Sequence, residues 1–239
     1  REQLVTLPRR EARIRIASDA EAAQSPAPNM RPPRLLGNTG EMGEFILPLN
    51  IPAAPGSRTA TLPYDDFTFQ AASWTLTAHE ARPGHELQFA TMMEGGVSIA
   101  RAVFAFNSAN VEGWGLYAEA LVKQYLPLNG QVGTLQLRLM REARAFLDPM
   151  VNLGLMEPAQ AEAFLVKEVG LSAPMAKQEI DRYTIRAPGQ ATAYYYGYQR
   201  QLALRGKVEL LLGERFEQRS YHDFILAQGL LPPELLERA

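Results

Sequence analysis

A mainly α-helical chain with a small β element near the N-terminus is what this sequence predicts, and three observations carry that prediction. From residue 67 onward apolar residues recur at helical spacing, most clearly Trp114, Tyr117, Ala118, Leu121, Val122 and Tyr125 at i, i+3, i+4 and i+7. Proline and glycine punctuate that half at helix starts and stops, as at Pro158, Pro174, Gly170, Gly213 and Gly229. Residues 1–66 instead gather many of the prolines and hold two short segments of strand character.

The elements follow in order. Glu11 to Ala17 alternates, with Ile14 and Ile16 on one face, a period-two pattern. Asn38 to Gly43 is a turn. Glu44 to Asn50 reads as a second strand, at a sheet edge because Pro48 has no N–H for the ladder. This Pro-rich stretch (Pro26, Pro28, Pro32, Pro33, Pro48, Pro52, Pro55, Pro63) is either an irregular wrapping arm or a small sheet beside the site developed below. In the second case an edge strand can bind an extended peptide through its backbone. Phe67 to Ala78 is apolar, uncharged and long enough for a buried helix. A helix from about Glu86 to Met93 follows, and Glu112 begins another. Thr134 to about Asp148 is one helix, ended or kinked at Pro149. Glu157-Pro158 starts a helix that Gly170 closes. Ser172 caps the next, which runs from Pro174 towards Ile185. Gln190 to Leu212 is a long helix, Tyr221 to Gln228 a short one, and Pro232-Pro233 opens the last. Two units result: an arm over 1–66 that belongs to the catalytic unit, and a helical metal-binding domain over 67–239. There is no internal repeat.

The segment that says most about chemistry is His79-Glu80-Ala81-Arg82-Pro83-Gly84-His85. Only three histidines occur in the chain, and two lie here, six residues apart. Glu112 follows His85 by 27 residues and opens Glu-Gly-Trp-Gly-Leu-Tyr-Ala-Glu. Two imidazoles, an adjacent carboxylate and a later one are the parts of a catalytic zinc site, with three protein ligands and a fourth position for water. In the common His-Glu-x-x-His motif the histidines are one helical turn apart. Six steps on an unbroken helix turn about 600°, leaving the rings roughly 120° apart. Pro83 and Gly84 answer that: a helix ending near Arg82, followed by a tight turn, swings His85 back beside His79. The same Pro-Gly is also what a plain helix C-terminus looks like, and a His–Glu pair is often surface decoration. Glu119 sits seven residues after Glu112, on nearly the same helix face, as a second ligand or a partner to one.

Thr77 to Phe89 (Thr-Ala-His-Glu-Ala-Arg-Pro-Gly-His-Glu-Leu-Gln-Phe) resembles the signature of the family catalogued as domain of unknown function 885, whose members look like zinc metallopeptidases. Asn110 to Glu119, Arg141 to Pro149, Tyr183 to Gly197 and Tyr221 to Pro232 resemble four further family blocks, in the same order, so the likeness covers most of residues 65–239. The resemblance implies a mostly helical, gluzincin-like fold, with His79, His85 and Glu112 as zinc ligands and Glu80 as general base. The separation of His85 and Glu112 is similar to that in the carboxypeptidase Taq and thimet oligopeptidase groups. Residue 86, often a second histidine in the family, is Glu86 here, a departure that leaves the ligand pair complete. The resemblance gives a reaction class and not a substrate. It also points to a bacterial periplasmic or secreted location.

Composition sets wider bounds. The chain has 239 residues, enough for one substantial core or two small ones. A formal charge of −2 gives no argument for nucleic acid or an anionic membrane as partner. Cysteine is absent, which excludes disulfides and leaves the compartment open. No run approaches a transmembrane span. The chain begins at Arg1 and family members are longer, so it reads as the metal-bearing C-terminal part of a larger protein. An apolar face left uncovered would then meet a missing N-terminal segment or a second copy.

Other side chains complete the expected site. Tyr194, in the first turn of a helix after Pro-Gly-Gln, is the first choice as donor to an oxyanion, and Tyr196 the second, although a tyrosine stripe is more often packing. His222 either sits at a helix start or points into the site as a donor. Arg141 and Arg186 either hold a substrate carboxylate or pair with acidic neighbours. Asp148 either orients a ligand histidine or ends a helix. The expected function is zinc-dependent hydrolysis of a peptide, with Glu80 taking a proton from activated water and delivering it to the leaving amine. A metal-dependent amide hydrolase acting on a non-peptide small molecule is the alternative, as is an inactive binding module that keeps the fold.

Overall fold

The computed structural model describes residues 4–25, 27–51, 62–63 and 70–239. At the N-terminal end come β1 (Arg13–Ile16), α1 (Asp19–Gln24), β2 (Asn29–Arg31), β3 (Glu44–Leu47), β4 (Asn50–Ile51) and β5 (Leu62–Pro63). Helices follow: α2 (Gln70–Glu80), α3 (His85–Gly95), α4 (Ile99–Phe104), α5 (Ser108–Lys123), α6 (Leu128–Asn152), α7 (Pro158–Lys167) and α8 (Ala173–Asp181). A π-helical turn (Arg182–Arg186) leads to α9 (Thr192–Leu212), α10 (Gln218–Ala227) and α11 (Pro233–Leu236). The chain is therefore mainly helical with a small three-stranded sheet near the N-terminus. Arg1, Pro26, Pro52, Pro55 and the expected helix start at Phe67 lie outside the described residues.

The sheet has the order β1-β3-β2, with β3 parallel to β1 and antiparallel to β2. This corrects the placement of the second strand. β3 is central, because it ends at Leu47 and Pro48 falls beyond the ladder. The edge strands are β1 and the unforeseen β2. Phe45 and Ile46 of β3 are buried, while Ile14 and Ile16 of β1 are exposed.

The two larger of three hydrophobic clusters among the described residues organise most of the helices. One joins α2, α6, α7 and α8 through Leu76, Leu137, Met140, Leu147, Leu165 and Met175, with Tyr183 of the π-helical turn. The other joins α3, α5, α9, α10 and α11 through Leu87, Trp114, Tyr117, Tyr198, Ile225 and Leu236. Small residues set the approach. A Cβ on Gly113 of α5 would lie 2.4 Å from the carbonyl carbon of Gly197 on α9, and one on Gly197 would lie 1.8 Å from the Ala109 carbonyl oxygen. Between α2 and α6, a Cβ on Gly133 would lie 3.0 Å from the Ala71 oxygen, and the Thr75 and Thr134 hydroxyls meet at 2.7 Å.

Several boundaries differ from expectation for local reasons. α5 starts at Ser108, where the Asn107 side chain accepts from the Asn110 N–H, so Glu112 lies one turn inside it. α6 starts at Leu128, because Gly130 and Gly133 serve as packing glycines rather than breakers. Pro149 sits inside the last turn of α6 and does not end it. α2 buries Ala72, Thr75, Leu76, Ala78, His79 and Glu80, while Trp74 is exposed. α6 also leaves Leu128, Val132, Leu135 and Leu139 exposed in one stripe. No described helix is long and apolar enough to cross a membrane.

The glycine crossing makes a prediction of opposite signs within one helix. Gly197→Ala should destabilise the protein by about 1–3 kcal/mol or more through backbone overpacking. Gly206→Ala, also in α9 and with open space around its Cβ, should stabilise it by roughly 0.5–1 kcal/mol. Urea denaturation midpoints check both.

Candidate metal centre

The centre begins where α2 stops. Glu80 is its last residue, and Ala81 to Gly84 form the break before α3 starts at His85. The Arg82–Pro83 peptide is cis. A Cβ at Gly84 would stand 1.9 Å from the His79 carbonyl oxygen, so glycine alone permits α3 to fold back this closely on the end of α2. Trp114 Nε1 donates to the Pro83 carbonyl at 2.9 Å and fixes the turn against α5. The two imidazoles are thereby brought edge to face, with centroids 4.5 Å apart and planes at 79°.

Glu112 completes the cluster from α5. Its Oε2 lies 3.5 Å from His79 Nε2 and 3.4 Å from His85 Nε2. The three ligand atoms all lie within 4.8 Å of one another, a group able to hold a metal ion. Ligands at about 2.1 Å from a tetrahedral zinc are about 3.4 Å apart, so two of the three edges already have that length. Glu112 Oε2 is buried with no hydrogen-bond partner among the described residues, as a ligand oxygen awaiting a cation would be.

His79 is held on its far side. Its Nδ1 meets Glu119 Oε1 at 2.7 Å, and Arg141 Nη2 donates to the same oxygen at 3.2 Å. Glu119 is therefore the partner of a candidate ligand and directs Nε2 towards Glu112. A Cβ on Gly115 would come within 2.5–2.8 Å of the His79 ring, so the second glycine of Glu-Gly-Trp-Gly is the seat of the imidazole. Burial lowers the His79 pKa, but the facing Glu112 carboxylate and the bonded Glu119 carboxylate outweigh that and raise it to about 9. Burial pushes Glu112 up, yet the two histidines hold it well below the usual carboxylate range. Burial, with Glu112 nearby, raises Glu80 against the pull of both histidines.

The cluster lines a cavity of about 390 Å³. Asn29 and Met30 of edge strand β2 form one wall, so the sheet stands beside the site. Glu80, Arg141, Arg144, Arg182 and Tyr194 also face it. Tyr194, in the first turn of α9, stacks over His79 with centroids 6.2 Å apart and planes at 19°. Its hydroxyl accepts from Arg182 Nη2 at 2.9 Å, which leaves the phenol proton for another acceptor. Burial raises its pKa, with Glu112 reinforcing that, so the phenol stays neutral. The Arg144 and Arg182 guanidinium carbons lie 4.7 and 5.2 Å from its ring centroid. Arg144 is locked in turn by two 2.7 Å bonds to Glu179.

Other expected site residues are placed elsewhere. His222 is fully buried in the second core, where its Nε2 meets the Tyr117 hydroxyl at 2.8 Å and its Nδ1 the Leu4 carbonyl at 2.6 Å; burial lowers its pKa. It packs beside Trp114 and Tyr221 and does not line the cavity. Tyr196 is exposed and donates to Glu234. Arg186 is exposed and donates to the Gln178 carbonyl. Asp148 orients no histidine; it accepts from the Gly189 and Ala191 N–H groups at 2.8 and 2.9 Å and so sets the loop that presents Tyr194. Glu86 is buried, pairs with Arg82 and lies outside the cavity. Arg144, Arg182 and β2 carry no signal in the sequence that marks them as part of the site. Three residues between prolines give no strand signal, and nothing local marks an arginine whose partners come from other helices.

The Arg144–Glu179 pair predicts a coupled response. Arg144→Met strands a buried carboxylate and should cost about 3–5 kcal/mol of stability. Adding Glu179→Leu to it should recover much of that loss, measured as a double-mutant cycle in denaturant.

Comparisons with known proteins bear on the fold and the family. None of the curated proteins matches the chain. Two solved structures share its fold. One, described as a putative lipoprotein from Colwellia psychrerythraea, superposes with a TM-score of 0.81 at 25% identity, covering 98% of this chain and 38% of that one. The other, from Shewanella oneidensis and given the same description with its function stated as unknown, has a TM-score of 0.77 at 21% identity, covering 98% and 41%. This chain thus spans about two fifths of their length. The model of a family described as bacterial protein of unknown function matches residues 1–239 throughout, and the chain belongs to that family, DUF885.

Proposed function

We propose that this chain carries the active site of a zinc-dependent peptidase of gluzincin-like type. One observation carries the reading: two imidazole nitrogens converge on a single unpartnered carboxylate oxygen at the edge lengths of a zinc tetrahedron. His79, His85 and Glu112 would hold the ion. When bound, zinc supplies Lewis acidity and lowers the pKa of a coordinated water towards about 7.

The chain's own residues perform the rest. Glu80 is buried, adjoins a ligand in sequence and faces the cavity without belonging to the ligand cluster. It takes a proton from the attacking water and delivers it to the amide nitrogen as the C–N bond breaks and the water oxygen joins the carbonyl carbon. Tyr194 offers its unused phenol proton to the oxygen on which negative charge develops. Glu119, backed by Arg141, keeps His79 in the tautomer that presents Nε2. The outer edge of β2 supplies N–H and C=O groups for an extended substrate backbone. The lipoprotein description of the two structural relatives accords with an envelope location in a bacterium.

Metal analysis after dialysis against zinc should return one ion per chain. His79→Ala, His85→Ala and Glu112→Ala should each abolish that binding, and a chain that takes up no zinc would sink the assignment. Glu80→Gln should keep the ion and lose about 10²–10⁴ in peptide hydrolysis. Glu119→Gln should weaken zinc affinity by about 10–100-fold, read by competition with a chelating dye. Tyr194→Phe should lower kcat by up to about 10²–10³-fold with little change in KM.

A further inference from the structure

Three arginines face the cavity, and their partners differ. Arg141 is bound to Glu119, and Arg144 is clasped by both oxygens of Glu179. Arg182 has no carboxylate within ion-pair distance among the described residues. Its two hydrogen bonds, to Gln190 Oε1 and the Tyr194 hydroxyl, both leave from Nη2 and both go to neutral groups. A guanidinium has five N–H donors, so those on Nε and Nη1 are left for a ligand. A half-buried cation with only neutral partners, facing a cavity, is a receptor for an anion.

Its position fixes which anion. Gln190 takes the Arg182 bond on its oxygen and extends its amide nitrogen to Glu112 Oε1 at 3.4 Å. One amide side chain therefore separates Arg182 from the metal-ligand cluster. A peptide advances about 3.3–3.6 Å per residue, so a carboxylate on Arg182 leaves a bond one or two residues upstream beside Glu112. Arg182 is also the first residue of the π-helical turn, which interrupts the α-helical path at the cavity. We propose that Arg182 binds the free C-terminal carboxylate of the substrate, so that the site removes one or two residues from peptide C-termini. This rests on the peptidase reading above and names the substrate class for it.

The test compares acetylated short peptides ending in a free carboxylate with the same peptides ending in an amide. Binding is measured by calorimetry on the Glu80→Gln protein, with and without added zinc. The free acid should bind about 10–100-fold more tightly, the range expected for a hydrogen-bonded charge. Arg182→Gln should erase the difference, and Arg182→Lys should restore part of it. Equal affinity for acid and amide with Arg182 in place overturns the proposal, whatever the variants do. So does failure of both peptides to bind, or an acid preference that survives in a folded Arg182→Gln protein. Turnover by the unaltered chain separates the two readings. Cleavage of internal bonds and amidated ends at equal rates keeps a peptidase and removes the C-terminal assignment. An acid preference in binding, with no zinc uptake and no cleavage, keeps Arg182 as the carboxylate site and removes the peptidase.

Discussion

The position of one imidazole ring governs the rest of the site. His79 is pressed onto Gly115, bonded to Glu119 at Nδ1, faced by Glu112 and His85 at Nε2, and stacked under Tyr194. These contacts come from three helices, with Glu112, Gly115 and Glu119 on α5, His85 on α3 and Tyr194 on α9, and glycine contacts set how closely the three approach the ring. Gly115 admits the ring, Gly84 admits α3 behind it, and the Gly113–Gly197 crossing brings α9 close enough for Tyr194 to cover it. The packing of α5 against α9 is thus part of the site and not only of the core.

Much of this was legible in the sequence. The six-residue spacing of His79 and His85 demanded a helix break, and Pro83-Gly84 supplied one; the structure has it, between Glu80 and His85. Caps and prolines located the starts of α7, α8 and α11, because those ends are decided by residues within a turn of them, while α10 begins at Gln218 after its Glu217 cap, three residues before the expected Tyr221. What could not be read was non-local. The start of α6 at Leu128, ahead of the expected Thr134, depends on α2, against which Gly130 and Gly133 pack. Pro48 looks like the mark of an edge strand until β3 is seen to end one residue earlier. His222 looks like a third site histidine, but its donors and acceptors are a tyrosine and a carbonyl from chain segments more than a hundred residues away.

The buried charges divide into two kinds. Arg141–Glu119 and Arg144–Glu179 are ion pairs whose desolvation offsets most of their attraction, so they contribute orientation more than net stability. Each ends on a residue facing the cavity: the first on His79, the second beneath the ring of Tyr194. Such pairs hold the His79 ring and the Tyr194 ring above it at fixed separation.

Two further charged groups face the cavity. Among the described residues, Glu112 presents an oxygen without a hydrogen-bond partner, and Arg182 presents a cation with no carboxylate within ion-pair distance. The two are joined through Gln190, so a ligand entering the cavity meets a cation-seeking end and an anion-seeking end in a fixed order. A group buried without its complement carries a desolvation penalty that a bound partner removes. An apolar or neutral small molecule would remove neither penalty. A short peptide with a free carboxylate, bound with a divalent ion at the other end, would remove both. On that ground the polarity of the cavity favours the proposed charged, oriented peptide over the non-peptide amide that the proposed ligand set would also serve.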